Sequence, residues 1–230
     1  MLPPDFVHSQ LRYMEHLGGD QLTIYHFGLS DWSKALRDKK VSGTKMLDAV
    51  AARIRALFPQ GRFLWMANKD APNSLFADVP GTQRLPNAPH GLNTFQTFQH
   101  VVILSALNPS PSAFGLMNEL GVSSDVLKTA TYRHPVYQAV MRGALRDPTN
   151  TDPKSVVVMD RPTAEWLSGL FPGSTVIQLD GLPPDMTTPK KRGRPKKHAN
   201  PAARVRACRD KKKLLADLEA LRLSSVESAL

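Results

Sequence analysis

Five short apolar runs, each too brief for a helix and rich in β-branched or aromatic residues, recur along the first 180 residues of this chain. They are Leu-Thr-Ile-Tyr-His at 22–26, Arg-Phe-Leu-Trp-Met at 62–66, Val-Val-Ile-Leu at 101–104, Ser-Val-Val-Val-Met at 155–159 and Ser-Thr-Val-Ile-Gln at 174–178. Runs of this length and make-up read as strands. Several are apolar at successive positions, so both of their faces need cover. Helical patterns lie between them: Leu47, Val50, Ala51, Ile54 and Leu57 follow the spacing of one helix face, and Pro59 and Gly61 stop it. A shorter helix is expected over 162–170, with Pro162 near its first turn, Asp160 as its cap and Pro172-Gly173 beyond its end. The fold class expected is α/β, with a mostly parallel sheet and helices on both faces.

Pro72, Pro80, Pro86 and Pro89 interrupt this rhythm over 70–93, which reads as a long ordered loop or lid. Ser110, Ser112 and the Ser123-Ser124 pair each precede an apolar-periodic stretch and read as helix starts, not nucleophiles. From Gly181 the periodicity ends, and Leu182-Pro183-Pro184 and Thr187-Thr188-Pro189 read as a linker. The division expected is a body over 1–180, a disordered basic linker over 181–200 and a basic, amphipathic helix over 201–230.

Charge follows the same division. The chain carries a net +10, yet residues 186–230 hold 13 Lys and Arg against 4 Asp and Glu, and residues 1–185 hold 17 against 16. A nearly neutral body joined to a cationic segment points to a polyanionic partner, because neutralising phosphates releases condensed counterions. Cys208 is the single cysteine, so no internal disulfide forms, and none of the seven histidines pairs at a metal-ligand spacing. No metal site is expected. With no signal-peptide pattern at the start and no apolar run near the roughly 20 residues that span a bilayer, the expectation is a soluble protein without a membrane partner. It would reside in the cytoplasm at the nucleoid, or in the nucleus of a eukaryote.

Within the body, Tyr137-Gln138-Ala139-Val140-Met141-Arg142-Gly143-Ala144-Leu145-Arg146 is the most suggestive stretch. On a continuous helix Gln138, Arg142 and Arg146 would form one polar stripe, whose amide and forked guanidiniums suit a nucleotide's phosphates. A solvated helix face has the same composition. Upstream come His90-Gly91-Leu92-Asn93, the 101–104 strand and then Ser105-Ala106-Leu107-Asn108-Pro109. A Gly-Leu-Asn element before a buried strand, followed by a Gln-x-x-x-Arg-x-x-x-Arg helix, resembles motifs V and VI in the second RecA-like lobe of superfamily 2 helicases of phage and plasmid type.

That resemblance spans about residues 20–180 and implies a RecA-like lobe. It implies that Gly91 and Asn93 couple nucleotide state to nucleic-acid grip. It also implies that Gln138 faces the nucleotide, that Arg142 or Arg146 acts as the arginine finger, and that Asn93, Gln138, Arg142 and Arg146 share one open edge. The second arginine follows the first by four residues, where the family has three. The sequence holds no Gly-x-x-x-x-Gly-Lys-Ser/Thr phosphate loop and no acidic magnesium box. Two lobes make the ATP site, so no cofactor is expected on this chain alone, and ATP with Mg²⁺ only where a first lobe completes the site. The ATPase would be absent from the chain by itself.

Lys191, Arg192, Gly193, Arg194, Pro195, Lys196 and Lys197 resemble the AT-hook, with its Arg-Gly-Arg-Pro core intact. Gly lets the backbone approach the groove floor, Pro keeps the chain extended, and the arginines enter the narrow, negative minor groove of A·T-rich DNA. A disordered basic linker or nuclear import signal has a similar composition. Beyond, Asn200 and Pro201 open a helix that carries Arg204, Arg206 and Arg209 and then Leu214, Leu218 and Leu221 on one stripe. It resembles the basic region of a leucine-zipper factor in composition but not in the spacing of Ala202-Ala203 and Cys208-Arg209. The function expected is a DNA-associated, helicase-like second lobe with a DNA-binding tail, partnered by DNA and by a separate helicase lobe or replication protein. The alternative is a non-enzymatic DNA-binding, architectural or regulatory protein.

Overall fold

The structure is a computed structural model that describes residues 14–29, 32–41, 43–87, 94–182, 205–206 and 209–210. The chain divides into two compact units, Met1–Thr188 and Pro189–Leu230. In chain order the first unit contains β1 (Leu22–Leu29), α1 (Lys34–Arg37), a hairpin of β2 (Lys40–Val41) and β3 (Thr44–Lys45), α2 (Met46–Leu57), β4 (Phe63–Met66) and β5 (Gln83–Leu85). It continues with β6 (His100–Ile103), α3 (Pro111–Glu119), α4 (Ser124–Lys128), α5 (His134–Val140), β7 (Lys154–Asp160), α6 (Arg161–Leu170) and β8 (Thr175–Gln178).

Six strands form one sheet in the order β5-β4-β6-β7-β1-β8. Every neighbouring pair in it is parallel. Successive side chains on a strand point to opposite faces, and the two cores sort accordingly. Phe63, Trp65, Val102, Val157 and Met159 join Met46, Leu47, Val50, Ala51 and Ile54 of α2 on the first face. Leu64, Met66, Val101, Ile103, Val156 and Val158 join Val136, Ala139 and Val140 of α5 and Ala164 and Leu167 of α6 on the second. This is the α/β fold expected, mostly parallel and covered on both sides, and it is consistent with a RecA-like lobe.

Connections respect those faces. The chain leaves β1 and β4 across the first face, through α2 and through Leu75 and Phe76. It leaves β5, β6 and β7 across the second, through Phe95, α5 and α6. Moves in one direction along the sheet use one face and moves in the other use the opposite face, as crossovers of a single hand require. The paths leaving β1 and β7 therefore part at their carboxyl ends, as do those leaving β4 and β6.

Three expectations need correction. The 70–93 segment is more than a loop: a 3₁₀ turn, Asn73–Phe76, and the edge strand β5 lie within it. The short strand escapes local detection because its Gln83 is exposed and only Leu85 is fully buried, so β5 exists through pairing with β4. The helix expected over 137–146 ends at Val140, and a separate 3₁₀ turn covers Ala144–Arg146. Gly143 breaks it by adopting extended backbone, and a Cβ there would stand 2.9 Å from the Phe98 carbonyl oxygen. The body also runs past 180, since Leu182 packs against the first core.

Of the linker only Gly181 and Leu182 are described; the rest of it and the AT-hook-like residues lie outside the described residues. Of the expected basic helix, Val205, Arg206, Arg209 and Asp210 are described, and all four are helical and exposed.

Candidate functional site

The amino-terminal edge of β6 and β7 receives the Gln/Arg stretch. Val140 ends α5, the Arg142 and Gly143 amides close turns onto Ala139 and Val140, and the Ala144 amide donates to the Phe98 carbonyl at 2.9 Å, two residues before β6 begins. Gln138 on α5 is half-buried and its amide donates to His134 Nε2 at 3.2 Å. Arg142 is half-buried just beyond the helix, and Arg146 is exposed at the end of the 3₁₀ turn. The turns that carry Arg142 and Arg146 thus reach this edge, while Gln138 stays within α5, and no single helical stripe joins the three. Gly91 and Asn93 lie outside the described residues.

Lys154 opens β7 on this edge and is buried, with Nζ donating to the Asn150 and Asp152 carbonyls at 2.6 and 2.8 Å. Burial lowers its pKa below the ordinary lysine value. Two carbonyl partners keep the buried ammonium hydrogen-bonded, so Lys154 fastens the 147–153 turn to the sheet.

The opposite, carboxyl edge holds a network that no local pattern announces. Asn68, just after β4, accepts from the Ala106 amide at 2.7 Å through Oδ1 and donates to the Ala106 carbonyl at 3.1 Å through Nδ2. One side chain thereby bridges the diverging ends of β4 and β6 as a strand would. Arg37 of α1, 4% exposed, donates to Asn68 Oδ1 and forks onto both oxygens of Asp70 at 2.8 and 3.0 Å and both of Asp38 at 2.8 Å. Its hydrogen bonds to Asp70 and Asp38 hold the guanidinium above its ordinary pKa, and Arg37 holds both carboxyls below theirs. Arg84 of β5 lies over the Trp65 ring at 5.0 Å, donates to the Asn68 and Ala71 carbonyls, and contacts Asn73.

At the other fork, Asp160 ends β7 at 4% exposure. Its Oδ1 accepts from the Thr163 amide at 2.9 Å, which caps α6 as expected, and its Oδ2 accepts from the Tyr132 hydroxyl at 2.7 Å. His26 on β1 lies in the field of Arg161, Glu165 and Asp160, and burial first, then Arg161, depresses its pKa. Gly28 at φ 69° turns its amide onto His26 Nδ1 at 2.9 Å, so the ring proton resides on Nε2. Trp32 and Trp65 are core residues, and Trp32 Nε1 donates to the Leu104 carbonyl at 2.9 Å.

Among the described residues, no group of three or more His, Cys, Asp or Glu is placed to hold a metal ion. No described helix is long and apolar enough to cross a membrane. The chain matches no protein-family model, no curated protein and no solved structure.

Proposed function

We propose that this protein is DNA-associated: its basic segment grips A·T-rich duplex, and its body serves as a helicase-like second lobe that needs a separate first lobe for ATP and Mg²⁺. The observation that carries the DNA reading is the concentration of charge, 13 Lys and Arg against 4 Asp and Glu over 186–230, around an Arg-Gly-Arg-Pro core. Lys191, Arg192, Arg194, Lys196 and Lys197 supply the groove and phosphate contacts, with Arg204, Arg206 and Arg209 extending them along the following helix. Arg206 and Arg209 are exposed, as phosphate-binding side chains must be.

What supports the lobe reading is the parallel sheet together with the Gln138, Arg142 and Arg146 pattern, of which the two arginines lie in the turns beside the amino end of β6. A guanidinium there could stabilise charge on a transferring phosphoryl group bound by a facing lobe. The chain carries no phosphate loop of its own, which favours the second reading, a non-enzymatic DNA-binding or regulatory protein.

Binding of full-length protein to A·T-rich duplex, measured across a salt series, tests the first part. Affinity should fall steeply and linearly on a log–log plot. Arg194→Ala should weaken it about tenfold, as loss of a minor-groove arginine does. Deletion of 190–197 without effect on affinity would sink the DNA reading. For the lobe, the full chain alone should show no DNA-stimulated ATP hydrolysis. Hydrolysis on addition of a phosphate-loop lobe, reduced about 10³-fold by Arg142→Ala, would separate the lobe reading from the non-enzymatic one.

A further inference from the structure

We propose that the outer edge of β8 is a self-association surface, on which a second copy of this chain pairs antiparallel so that the two sheets run on as one. The proposal is independent of the DNA and lobe readings, because it uses none of their residues. β8 closes one side of the sheet, and no described strand lies beyond it. All four of its residues are exposed, including Val176 at 36% and Ile177 at 40%.

What an edge strand lacks is a partner for its main chain. The Leu179 amide donates to the His26 carbonyl at 2.7 Å, and Ile177 stands opposite Tyr25 in the parallel register. Alternate residues of a strand turn their amide and carbonyl to the same side, so Thr175, Ile177 and Leu179 face β1 while Val176 and Gln178 face outward. Another strand is the natural complement of such a row, and edges that avoid pairing carry charge or proline. β5, at the opposite edge, carries Arg84 at its centre. Thr175-Val176-Ile177-Gln178 holds neither charge nor proline.

Symmetry fixes the register. Two copies related by a two-fold axis normal to the sheet keep their faces, so each residue stands opposite one an even number of positions away. Centred on Ile177, the axis sets Val176 opposite the partner's Gln178 and Gln178 opposite the partner's Val176, each pair exchanging both main-chain bonds. Centring on Val176 would require the Ser174 amide, which already donates to the Phe171 carbonyl at 3.1 Å. Centring on Gln178 would require the Asp180 carbonyl, which already accepts from Arg53 Nε at 2.6 Å. The Ile177 register therefore uses the outward groups that are not otherwise engaged. It also brings the two Ile177 side chains together across the axis, on the face they share with Tyr25.

Charge favours a second copy over an unrelated strand. At the amino end of β8 the exposed Asp20 carboxylate lies against Gly173. At the carboxyl end Arg53 lies against Gly181, where a Cβ would stand 3.2 Å from its Nε. Gly173 and Gly181 are equally far from Ile177 in sequence. Antiparallel pairing sets the amino end of one strand beside the carboxyl end of the other, so Asp20 of each copy meets the partner's Arg53, with the partner's exposed Asp180 close by. Opposite charges thus meet at both ends of an uncharged strand. An edge of four residues buries less than the roughly 800 Å² per partner of a standard interface, so the dimer is a weak one.

The test is sedimentation equilibrium of the full chain, free of nucleic acid, from about 1 μM to about 1 mM, a range that brackets a weak interface. The mean mass should rise from monomer to dimer and stop there, as a closed two-fold contact requires. Ile177→Lys, at an exposed position, sets like charges together across the axis and should stay monomeric throughout with an unchanged far-ultraviolet spectrum. Asp20→Lys should weaken association about fivefold, and adding Arg53→Glu should restore it. In a Cys208→Ser background, Ile177→Cys should form a disulfide-linked dimer on mild oxidation, because opposed residues of a non-hydrogen-bonded pair lie about 4.5 Å apart. Val176→Cys should not, since its counterpart is a diagonal neighbour at about 7–8 Å. A monomer persisting at about 1 mM would overturn the proposal and leave the edge to a strand of another protein. A dimer untouched by Ile177→Lys, or equal crosslinking of Val176→Cys and Ile177→Cys, would overturn it as well.

Discussion

Arg37 shows how one side chain can organise a fold far beyond its own helix. Its guanidinium joins α1 to Asp70 and Asn68 beyond β4, and through Asn68 to Ala106 beyond β6. Removing it takes a forked donor from two carboxylates and leaves Asn68 Oδ1 with the Ala106 amide. Both aspartates are about half exposed, at 49% and 54% of their side chains, so water compensates part of the loss. Arg37→Ala should therefore cost about 2–3 kcal/mol in a denaturant melt, below the range for a fully buried pair. Arg37→Lys should recover little, because an ammonium cannot fork onto two carboxylates.

His100 makes the opposite case. It stacks on Phe58 at 4.7 Å, and its Nδ1 is buried without a hydrogen-bond partner among the described residues. Burial depresses the pKa of His100 and of His16, and it is the largest cause of the depression at His26. The unfolded chain then takes up protons below the ordinary value of 6.5 while the folded state resists them. Stability should be full above about pH 6.5 and fall as the pH drops through the window beneath it. His100→Phe should flatten that slope in thermal melts at stepped pH by about one proton's worth. A slope equal to the parent's would show that His100 titrates normally.

Elements here begin where the sequence marks them and end where tertiary contacts intervene. Ser110, Ser123 and Asp160 each accept an amide of the helix that follows, from Ala113, Val126 and Thr163. Such caps need only a short polar side chain three residues ahead, so they are legible locally. Asp160 does more, because its second oxygen holds Tyr132 from another element. Asp160→Ala should thus cost about 2–3 kcal/mol, a cap plus an unpaired buried hydroxyl, and Asp160→Asn about 1 kcal/mol. Equal costs for the two in a denaturant melt would mean that the Tyr132 bond contributes nothing. The break at Gly143 is of the other kind: nothing in Gln138 to Arg146 foretells that the Phe98 carbonyl will meet the backbone there.

At the scale of the molecule, stability and charge occupy different parts of the chain. Both hydrophobic cores are made of residues between Leu22 and Leu182. The net +9 over 186–230 lies beyond them. A chain truncated after residue 188 should keep the parent's thermal midpoint within about 2 °C, since it retains every described core residue, while its affinity for duplex DNA collapses. A large drop in midpoint would mean that the second unit contributes to the fold.

Much of this organisation was determined by the sequence alone. Apolar runs specified parallel strands, buried except for the exposed edge strand β8, the i, i+3, i+4 pattern specified α2, short polar residues specified helix starts, and charge divided the chain. Those signals act between residues close in sequence, where period and propensity suffice. Tertiary structure decided the rest. It made a strand of Gln83–Leu85 by offering β4 as a partner, stopped a helix at Val140, brought Arg37, Asn68 and Ala106 together across 31 and 38 residues, and set Tyr132 against Asp160 across 28. Each depends on which backbone groups meet when distant segments close over the sheet, and no local pattern encodes that meeting.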